Sequence, residues 1–307
     1  MEERVRTWRP HWPCPVAVVL EQLRHGGGDP TWRRGQDGAI WRGLRTPEGT
    51  ATLCVLGKPG RGEVLARAWG EGADWALEAV PAMLGACDDP SDFQPHHEAV
   101  RRAWRQHPHL RIARTGLLLE SLIPAVIEQK VTGKEAFAGW RALVRRHGEL
   151  APGADAELGL WVMPAPETIR AIPSWEWLAM HIDPARSRTV AAVVSRAGAL
   201  ERLVDRPAAE VDRSLRSIPG IGEWTSAEAR ARVLGDADAV SFGDYHVPKD
   251  IGWALTGKPV DDAGLAELLE PYRPQRGRVQ LLLTTAGFRR PRRGPRLSVP
   301  MHYPSSL

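Results

Sequence analysis

The chain has 307 residues, of which 43% are hydrophobic and 25% are charged. This composition is that of a soluble globular protein, and it excludes a wholly disordered or collagen-like chain. At roughly 150 residues per domain, the length fits two domains or one large one. No apolar run approaches the roughly 18 residues of a membrane-spanning helix, and the first residues lack the pattern of a secretory signal. We therefore expect a cytoplasmic protein with no membrane partner.

The basic residues are mostly arginine. Of 41 Lys and Arg residues 36 are Arg, and the formal net charge is +4. The guanidinium fork suits phosphate oxygens, so a polyanionic partner is compatible with this bias. Five arginines lie in the acid-free segment 288–307, namely Arg289, Arg290, Arg292, Arg293 and Arg296. The pattern of this tail fits either a solvated segment or a nucleic-acid contact.

Cysteine usage restricts the cofactors. Cys14, Cys54 and Cys87 are scattered and form no C-x-x-C pair. This argues against a disulfide framework, a four-cysteine zinc site and an iron–sulfur cluster. The adjacent histidines His96 and His97 point about 100° apart on a helix, so they do not predict a metal site. We expect no cofactor bound by side chains.

Turn residues and β-rich runs alternate in the first 90 residues. Residues 1–12 read as an irregular arm, followed by a short apolar element over 15–24. Strands are predicted over 39–45, 51–56 and 63–69, an antiparallel meander. A helix over 75–84 would pack across one face of that sheet. Residues 1–90 are thus predicted to form a small α+β domain.

The rest of the chain has helical periodicity with short Pro/Gly connections. Helices are predicted over 97–107, 117–131, 134–147, 166–171, 185–203, 208–217, 223–234, 263–269 and 278–285. Asp92 is placed to cap the first of them. The fold class is therefore α+β, with a mostly helical domain over 91–287 after the antiparallel-sheet domain and a basic tail over 288–307.

Residues 218–222 read Ile-Pro-Gly-Ile-Gly between two amphipathic helical patterns. The glycines allow positive φ and close backbone approach. Unpaired N–H groups at the start of the next helix form an anion site suited to a DNA phosphate. Alone, the motif fits either a plain turn between helices or a phosphate-binding hairpin. Likewise Asp244, before a new helix, is by itself more typical of a helix N-cap than of a catalyst.

Taken together, residues 215–247 resemble the helix-hairpin-helix, Gly/Pro-rich loop and aspartate signature of the DNA glycosylase superfamily. Residues 121–131 with 134–146, Ala-Arg-Ser-Arg at 185–188 and Glu-Pro-Tyr-Arg-Pro at 270–274 are similar to segments of its 3-methyladenine glycosylase branch. The resemblance covers nearly the whole chain, although residues 1–90 match by pattern more than by motif. It implies a helical catalytic domain behind an N-terminal α+β domain.

The resemblance also implies site residues. Asp244 would stabilise oxocarbenium character at C1′ and orient the attacking water once the base has left the duplex. The DNA-binding residues would be Pro219, Gly220, Ile221, Gly222, Gln129, Lys130 and Thr225. The walls of the base pocket would be Trp224, Tyr245 and Tyr272. The backbone from Ile218 to Gly222 would be the place for a monovalent cation.

The predicted activity is monofunctional. Bifunctional relatives carry a lysine two residues after the second hairpin glycine, where this chain has Trp224. We therefore predict excision of alkylated purines of the 3-methyladenine type from double-stranded DNA by a monomer without AP-lyase activity. Lys130 stands where better-known members have an apolar wedge, and its stem can insert while its ammonium meets a phosphate. Two alternatives stay open: a non-catalytic DNA-binding protein using the same hairpin, and a glycosylase for deaminated purines such as hypoxanthine.

Overall fold

A computed structural model describes residues 2–153 and 158–291. Most of the arginine-rich tail, including Arg292, Arg293 and Arg296, lies outside the described residues. Within them, no helix is long and apolar enough to cross a lipid bilayer.

The N-terminal residues form a five-stranded antiparallel sheet of strand order β1-β5-β4-β3-β2. The strands are β1 (Arg4–Trp8), β2 (Trp32–Arg34), β3 (Ile40–Thr46), β4 (Gly49–Lys58) and β5 (Glu63–Trp69). The three strands of the predicted meander are confirmed as β3, β4 and β5.

Two strands of this sheet, β1 and β2, were not predicted. The prediction of an irregular arm over residues 1–12 is wrong, because β1 pairs with β5 from Arg4↔Ala68 to Trp8↔Val64. This edge strand is mostly exposed and has no fully buried residue. Its order therefore comes from the backbone ladder of β5 rather than from an apolar face of its own.

Two helices accompany the sheet, α1 (Val16–Glu21) and α2 (Ala73–Met83). Helix α2 buries Ala76, Leu77 and Val80 at helical spacing. It packs across the sheet as predicted.

The remaining helices follow in chain order. They are α3 (Glu98–Gln106), α4 (Leu118–Ile127), α5 (Gly133–His147), α6 (Pro166–Ala171), α7 (Ser174–Ala179), α8 (Pro184–Val194), α9 (Ala197–Glu201), α10 (Ala208–Arg216), α11 (Glu223–Val233), α12 (Val247–Thr256), α13 (Asp262–Leu269) and α14 (Arg276–Thr285). Two short strands, β6 (Glu149–Leu150) and β7 (Trp161–Val162), pair between α5 and α6.

Three details of the helical prediction need correction. The helix expected over 185–203 is divided into α8 and α9, because Arg196 leaves the helical region with φ −112° and ψ 12°. Asp92 does not cap α3, which begins only at Glu98 after the extended residue His97. Helix α7 was not predicted; it spans only six residues.

The apolar packing divides the molecule into two lobes. The larger core cluster joins the sheet to α3 and α12–α14. The second contains α4–α11. The larger core thus extends across the domain boundary predicted at residue 90, since helices from the end of the chain return to pack against its beginning. We call these groups the sheet lobe and the helical lobe.

Buried ion pairs reinforce this arrangement. The Arg278 side chain on α14 donates to both carboxylate oxygens of Asp88, at 3.0 and 2.5 Å. Asp88 also accepts a bond from the backbone N–H of Ile112. A second buried pair, Arg42 on β3 with Glu120 on α4, connects the two lobes. Burial raises the pKa of the Glu120 carboxyl, and the Arg42 guanidinium opposes that shift.

Removal of Asp88 tests the buried pair. We expect Asp88→Ala to lower the free energy of unfolding by about 3–5 kcal/mol, because Arg278 is then left as an uncompensated buried charge. The matched control is Asp74→Ala, which removes the partner of Arg4 from an exposed pair and should cost less than about 1 kcal/mol. Urea unfolding measures both. Equal losses in the two variants would contradict the role assigned to Asp88.

Candidate functional site

Helices α10 and α11 form a tight hairpin whose turn rests on α8. Gly220 in the turn has φ +91°, a conformation that favours glycine. A methyl group at this position would lie 2.1 Å from Oγ1 of Thr189 on α8. The positive φ and the close approach together explain why the turn needs glycine there.

The side chain of Gln129 locks this turn from the end of α4. Its Nε2 donates to the carbonyl oxygen of Gly220 at 2.9 Å and to Oγ1 of Thr225 at 2.7 Å. Both amide hydrogens of Gln129 are thereby used, and Thr225 is only 2% exposed. In the structure these two residues position the hairpin; a contact of Gln129 with DNA stays a prediction.

Arg186 holds the same junction from α8. This arginine is buried, and it donates to the carbonyl oxygen of Ile127 at 2.7 Å, to Asp183 at 2.8 Å and to the carbonyl oxygen of His181 at 2.9 Å. The Ile127 oxygen belongs to the last residue of α4, so Arg186 ties α4 to the start of α8. Sequence reasoning noted Arg186 only as part of the segment 185–188 and did not assign it this structural role.

The outer surface of the hairpin is backbone. Pro219, Gly220 and Gly222 are exposed, whereas Ile221 points into the core. Gly222 is the N-cap of α11, and no side chain caps the helix there. Unpaired N–H groups therefore face solvent at a helix N-terminus, an arrangement that attracts a phosphate. Ile221 contributes backbone only, as a packing residue. Lys130 is exposed beside this surface, with φ +55°.

The loop between α11 and α12 is held from two helices. Ser241 Oγ donates to Glu228 on α11. Gln280 on α14 donates to Ser241 Oγ at 2.8 Å and accepts from the Ser241 backbone N–H at 3.1 Å. The loop is thus fixed three residues before Asp244. Gly243, with φ +85°, then turns the chain toward α12.

The two carboxylate oxygens of Asp244 have different surroundings. Its Oδ1 accepts from the backbone N–H groups of His246, the N-cap residue of α12, and of Val247, the first residue of that helix, at 2.6 and 2.9 Å. Its Oδ2 accepts no hydrogen bond from any described residue, and the side chain is half-buried. The carboxylate is therefore held rigidly by one oxygen while the other is available for chemistry.

The pKa of the Glu228 carboxyl is a balance of opposing effects. Burial would raise it, but the Arg232 guanidinium and the Ser241 hydroxyl together hold the pKa below its ordinary value. Glu228 is therefore charged at neutral pH and accepts the bond that anchors the Asp244 loop.

The three predicted pocket aromatics have separate places. Trp224 is half-buried next to Gly243, and its indole N–H has no partner among the described residues. Tyr245 is 72% exposed. Tyr272 is 3% exposed and its hydroxyl bonds His97. Tyr272 is a packing residue, which corrects the prediction that it lines a base pocket.

The structure also contains a cavity that the sequence did not indicate. It measures about 990 Å³ and lies between the loop around β2 and the end of α14. Its lining includes Trp32, Arg34, Thr284 and Thr285. Thr284 lies one turn beyond Gln280 on the same face of α14, so this end of the cavity is close to the Asp244 loop. None of the three predicted aromatics lines it.

The described residues contain no cluster of three or more His, Cys, Asp or Glu side chains that could hold a metal ion. Neither protein-family models nor curated protein sequences give a match to the chain. Several solved structures, in contrast, match the chain.

The 3-methyladenine DNA glycosylase from Archaeoglobus fulgidus superposes with a TM-score of 0.76, at 15% identity, over 92% of this chain and 99% of that one. The 8-oxoguanine glycosylase/lyase of Clostridium acetobutylicum, bound to double-stranded DNA, gives 0.69 at 13% identity over 93% and 96%. A 3-methyladenine DNA glycosylase of Schizosaccharomyces pombe with abasic DNA gives 0.50 at 19%, over 62% and 93%. The fold is that of these solved DNA glycosylases.

Within this glycosylase fold, the glycine requirement of the hairpin can be tested. Gly220→Ala should lower the free energy of unfolding by about 2–4 kcal/mol, since it adds both a positive-φ penalty and a clash with Thr189. Gly222→Ala is the matched control, because a methyl group there meets nothing within 4 Å, and it should cost about 1 kcal/mol or less. Thermal unfolding compares them. Similar losses in both variants would refute the packing argument.

The Glu228 anchor predicts a pH dependence. Because its folded pKa is depressed, Glu228 contributes stability that is present above its ordinary pKa and is lost as pH falls through the folded value. Glu228→Gln should therefore flatten the acid side of the stability–pH curve. The contribution of Glu201 to the pH dependence of stability has the opposite sign, because burial raises the pKa of its carboxyl. Glu201→Gln should therefore steepen the acid side of the stability–pH curve. Denaturant unfolding between pH 3 and pH 7 measures both slopes; a change of the same sign in both would contradict the assignment.

Proposed function

We propose that the chain is a DNA glycosylase that hydrolyses the N-glycosidic bond of an alkylated purine of the 3-methyladenine type in double-stranded DNA. One observation carries the proposal. The carboxylate of Asp244, fixed through Oδ1 and open at Oδ2, is tied by Ser241 and Glu228 to α11, the helix whose N-terminus offers unpaired amides to a phosphate.

These positions suggest a separate role for the hairpin, for Asp244 and for Lys130. The hairpin binds a phosphate through backbone N–H groups, which fixes the strand relative to Asp244. The extruded nucleotide then brings its C1′ toward Asp244 Oδ2. Positive charge develops on the sugar as the base departs, and the carboxylate stabilises it and orients the attacking water. Lys130 is the exposed side chain proposed to enter the gap left by the base.

Hydrolysis without strand cleavage fits the side chains present. Trp224 occupies the second position of α11, where the resemblance places the nucleophilic lysine of bifunctional relatives. The nearby Lys249 ammonium lies 3.4 Å from the centre of the Tyr245 ring. An alkylated purine is already cationic and leaves readily, so one carboxylate can suffice without an amine nucleophile.

The cavity beside α14 is the proposed receptacle for the base. Its volume of about 990 Å³ lies within the range of small-molecule sites. Trp224 and Tyr245 stay proposed as aromatic contacts near its entrance. At the hairpin, the carbonyl oxygens of Pro219 and Ile221 accept no hydrogen bond from described residues, which fits them to hold a monovalent cation. We propose no other cofactor and a monomeric protein.

A specific observation supports a second substrate class. Of the three arginines that line the cavity, Arg24 pairs with Glu21 and Arg33 donates to backbone carbonyl oxygens, whereas no described residue accepts from the Arg34 side chain, whose donors suit a carbonyl oxygen of a base. This favours a deaminated purine such as hypoxanthine as the alternative. A non-catalytic DNA-binding role is less consistent with the site, because a free carboxylate oxygen near phosphates repels them.

Substitution of Asp244 tests the activity and separates chemistry from loop support. The Asn side-chain oxygen can accept the same two backbone bonds, so Asp244→Asn should unfold within about 0.5 kcal/mol of wild type, whereas Asp244→Ala, which removes the acceptor, should lose about 1 kcal/mol. Release of 3-methyladenine from methylated duplex DNA should fall at least about 100-fold in both variants. Chromatography of released bases, with a hypoxanthine duplex in parallel, measures the activity.

Each result of this base-release assay points to a different conclusion. Release of 3-methyladenine by wild type without strand scission is the expected result. Release of hypoxanthine alone would select the second substrate class. Duplex binding with no release of any base would favour the non-catalytic role, and unchanged release by Asp244→Asn would remove Asp244 from the mechanism.

A further inference from the structure

Helix α5 carries a row of basic side chains on its outer side. Lys134, Arg141 and Arg145 follow one another at intervals of seven and four residues, so they lie on one face of the helix. The opposite face packs into the helical lobe through Trp140 and Leu143. We call the three basic residues the α5 basic face. From Lys134 to Arg145 the helix rises about 16 Å.

The charge of this face has no counter-charge on its own helix. Neither Lys134 nor Arg145 forms a hydrogen bond or an ion pair with any described residue. Glu135 is the one acid in α5. Its Oε2 accepts from the backbone N–H and the hydroxyl of Thr132 at 2.9 and 2.8 Å, as part of the capping box. This carboxylate is therefore directed to the start of the helix and does not pair with the α5 basic face.

The arrangement of these charges opposes the stability of the helix. Lys134 lies in the first turn, where the helix dipole disfavours a cation. Arg141 and Arg145 are four residues apart, and like charges at this spacing destabilise a helix. A bound anion would relieve both effects, because it supplies the missing counter-charge. The α5 basic face thus has the character of an anion-binding surface.

One end of the α5 basic face adjoins the hairpin. Thr132 is the N-cap of α5, and the exposed Lys130 lies two residues before it. The next residue toward the N-terminus is Gln129, whose amide donates to the carbonyl oxygen of Gly220 in the hairpin turn. The α5 basic face therefore begins beside the exposed backbone of the hairpin.

The other end approaches the cavity. The Arg141 guanidinium donates to the carbonyl oxygen of Gly27 at 2.9 Å, in the loop that leads to β2. Arg33 on β2 lines the cavity. Burial lowers the pKa of the Arg33 guanidinium; Asp29 opposes this shift, and the charge of Arg145 reinforces it. Arg145 is therefore close enough to Arg33 for the two charges to interact.

We infer that the α5 basic face binds phosphates of the DNA backbone between the hairpin and the cavity. The inference rests on the proposed function, because it requires duplex DNA at the hairpin and a base in the cavity. A length of about 16 Å matches roughly five phosphates spaced 3.4 Å apart along the axis of one strand. Binding here is independent of base sequence, since phosphate contacts carry no sequence information.

The test compares two variants that lose the same number of charges. Lys134→Gln/Arg145→Gln removes two cations of the α5 basic face and leaves Arg141, which holds the loop before β2. Lys58→Gln/Arg61→Gln removes two cations from the end of β4 and the turn after it, on the sheet lobe; neither has an ion pair with a described residue. Thermal unfolding checks that both variants keep the wild-type fold.

Fluorescence anisotropy measures the affinity of each protein for a duplex with a tetrahydrofuran abasic-site analogue and for its undamaged counterpart, from about 50 to 200 mM KCl. In Lys134→Gln/Arg145→Gln, the magnitude of the slope of log affinity against log salt should fall by about 1.8, at about 0.9 per phosphate contact. The fall should be the same on both duplexes. Lys58→Gln/Arg61→Gln should keep the wild-type slope, and so should Lys134→Arg/Arg145→Lys, which keeps both charges.

Two results would overturn the inference and leave the proposed function standing. One is wild-type binding with an unchanged slope in Lys134→Gln/Arg145→Gln. The other is an equal fall in Lys58→Gln/Arg61→Gln, which would assign the effect to the net charge of the protein. Failure of the wild type to bind either duplex would overturn both the inference and the proposed function.

Discussion

The buried helix α4 is the element on which the rest of the site depends. All ten of its residues are buried, and polar side chains from other elements hold both of its ends. At the N-terminus, Glu201 accepts from the backbone N–H groups of Leu118 and Leu119. At the C-terminus, Arg186 donates to Ile127. The Gln129 amide, two residues further on, then fixes the hairpin between α10 and α11, the proposed phosphate-binding element.

This arrangement gives the hairpin rigidity without capping side chains. A loop that binds phosphate through its own N–H groups must leave those groups unpaired, so it cannot be stabilised by bonding them internally. The structure stabilises the carbonyl side of the turn instead, through Gln129, and packs its Gly220 onto Thr189. The donors remain free while the backbone that carries them is immobile.

Asp244 joins a structural role to the proposed chemical one. The bonds that Oδ1 accepts from the backbone of His246 and Val247 orient the carboxylate, and the Ser241–Glu228 and Ser241–Gln280 contacts fix the loop that carries it. Such support from neighbouring groups is what a preorganised carboxylate requires, because a charge that must reorient in the reaction stabilises the transition state less. Asp244 is not the N-cap that its position in the sequence also suggested, since that residue is His246, but its backbone bonds through Oδ1 are compatible with the proposed chemistry at Oδ2.

The sequence determined what depends on local pattern. Turn residues between β-rich runs predicted the central strands, 3.6-residue periodicity predicted most helices, and the spacing of residues 218–222 and Asp244 indicated the glycosylase fold. These signals are local, because propensity and periodicity act within one element. The exposed edge strand β1 has no such signal of its own, and its order comes from a partner 60 residues away.

Only the tertiary structure decided which side chains face the site. Threonine and tyrosine occur equally well in a protein core and at a ligand site. Only the structure shows that Thr225 and Tyr272 are buried in the core. The cavity is formed by the loop around β2 and the end of α14, which are about 250 residues apart in the chain, and no local pattern records that contact. The hydrogen bond from the Arg290 backbone to Asp250 on α12 has the same origin, since the packing of α14 against α3 and α12 brings the end of the chain back to the loop that carries Asp244.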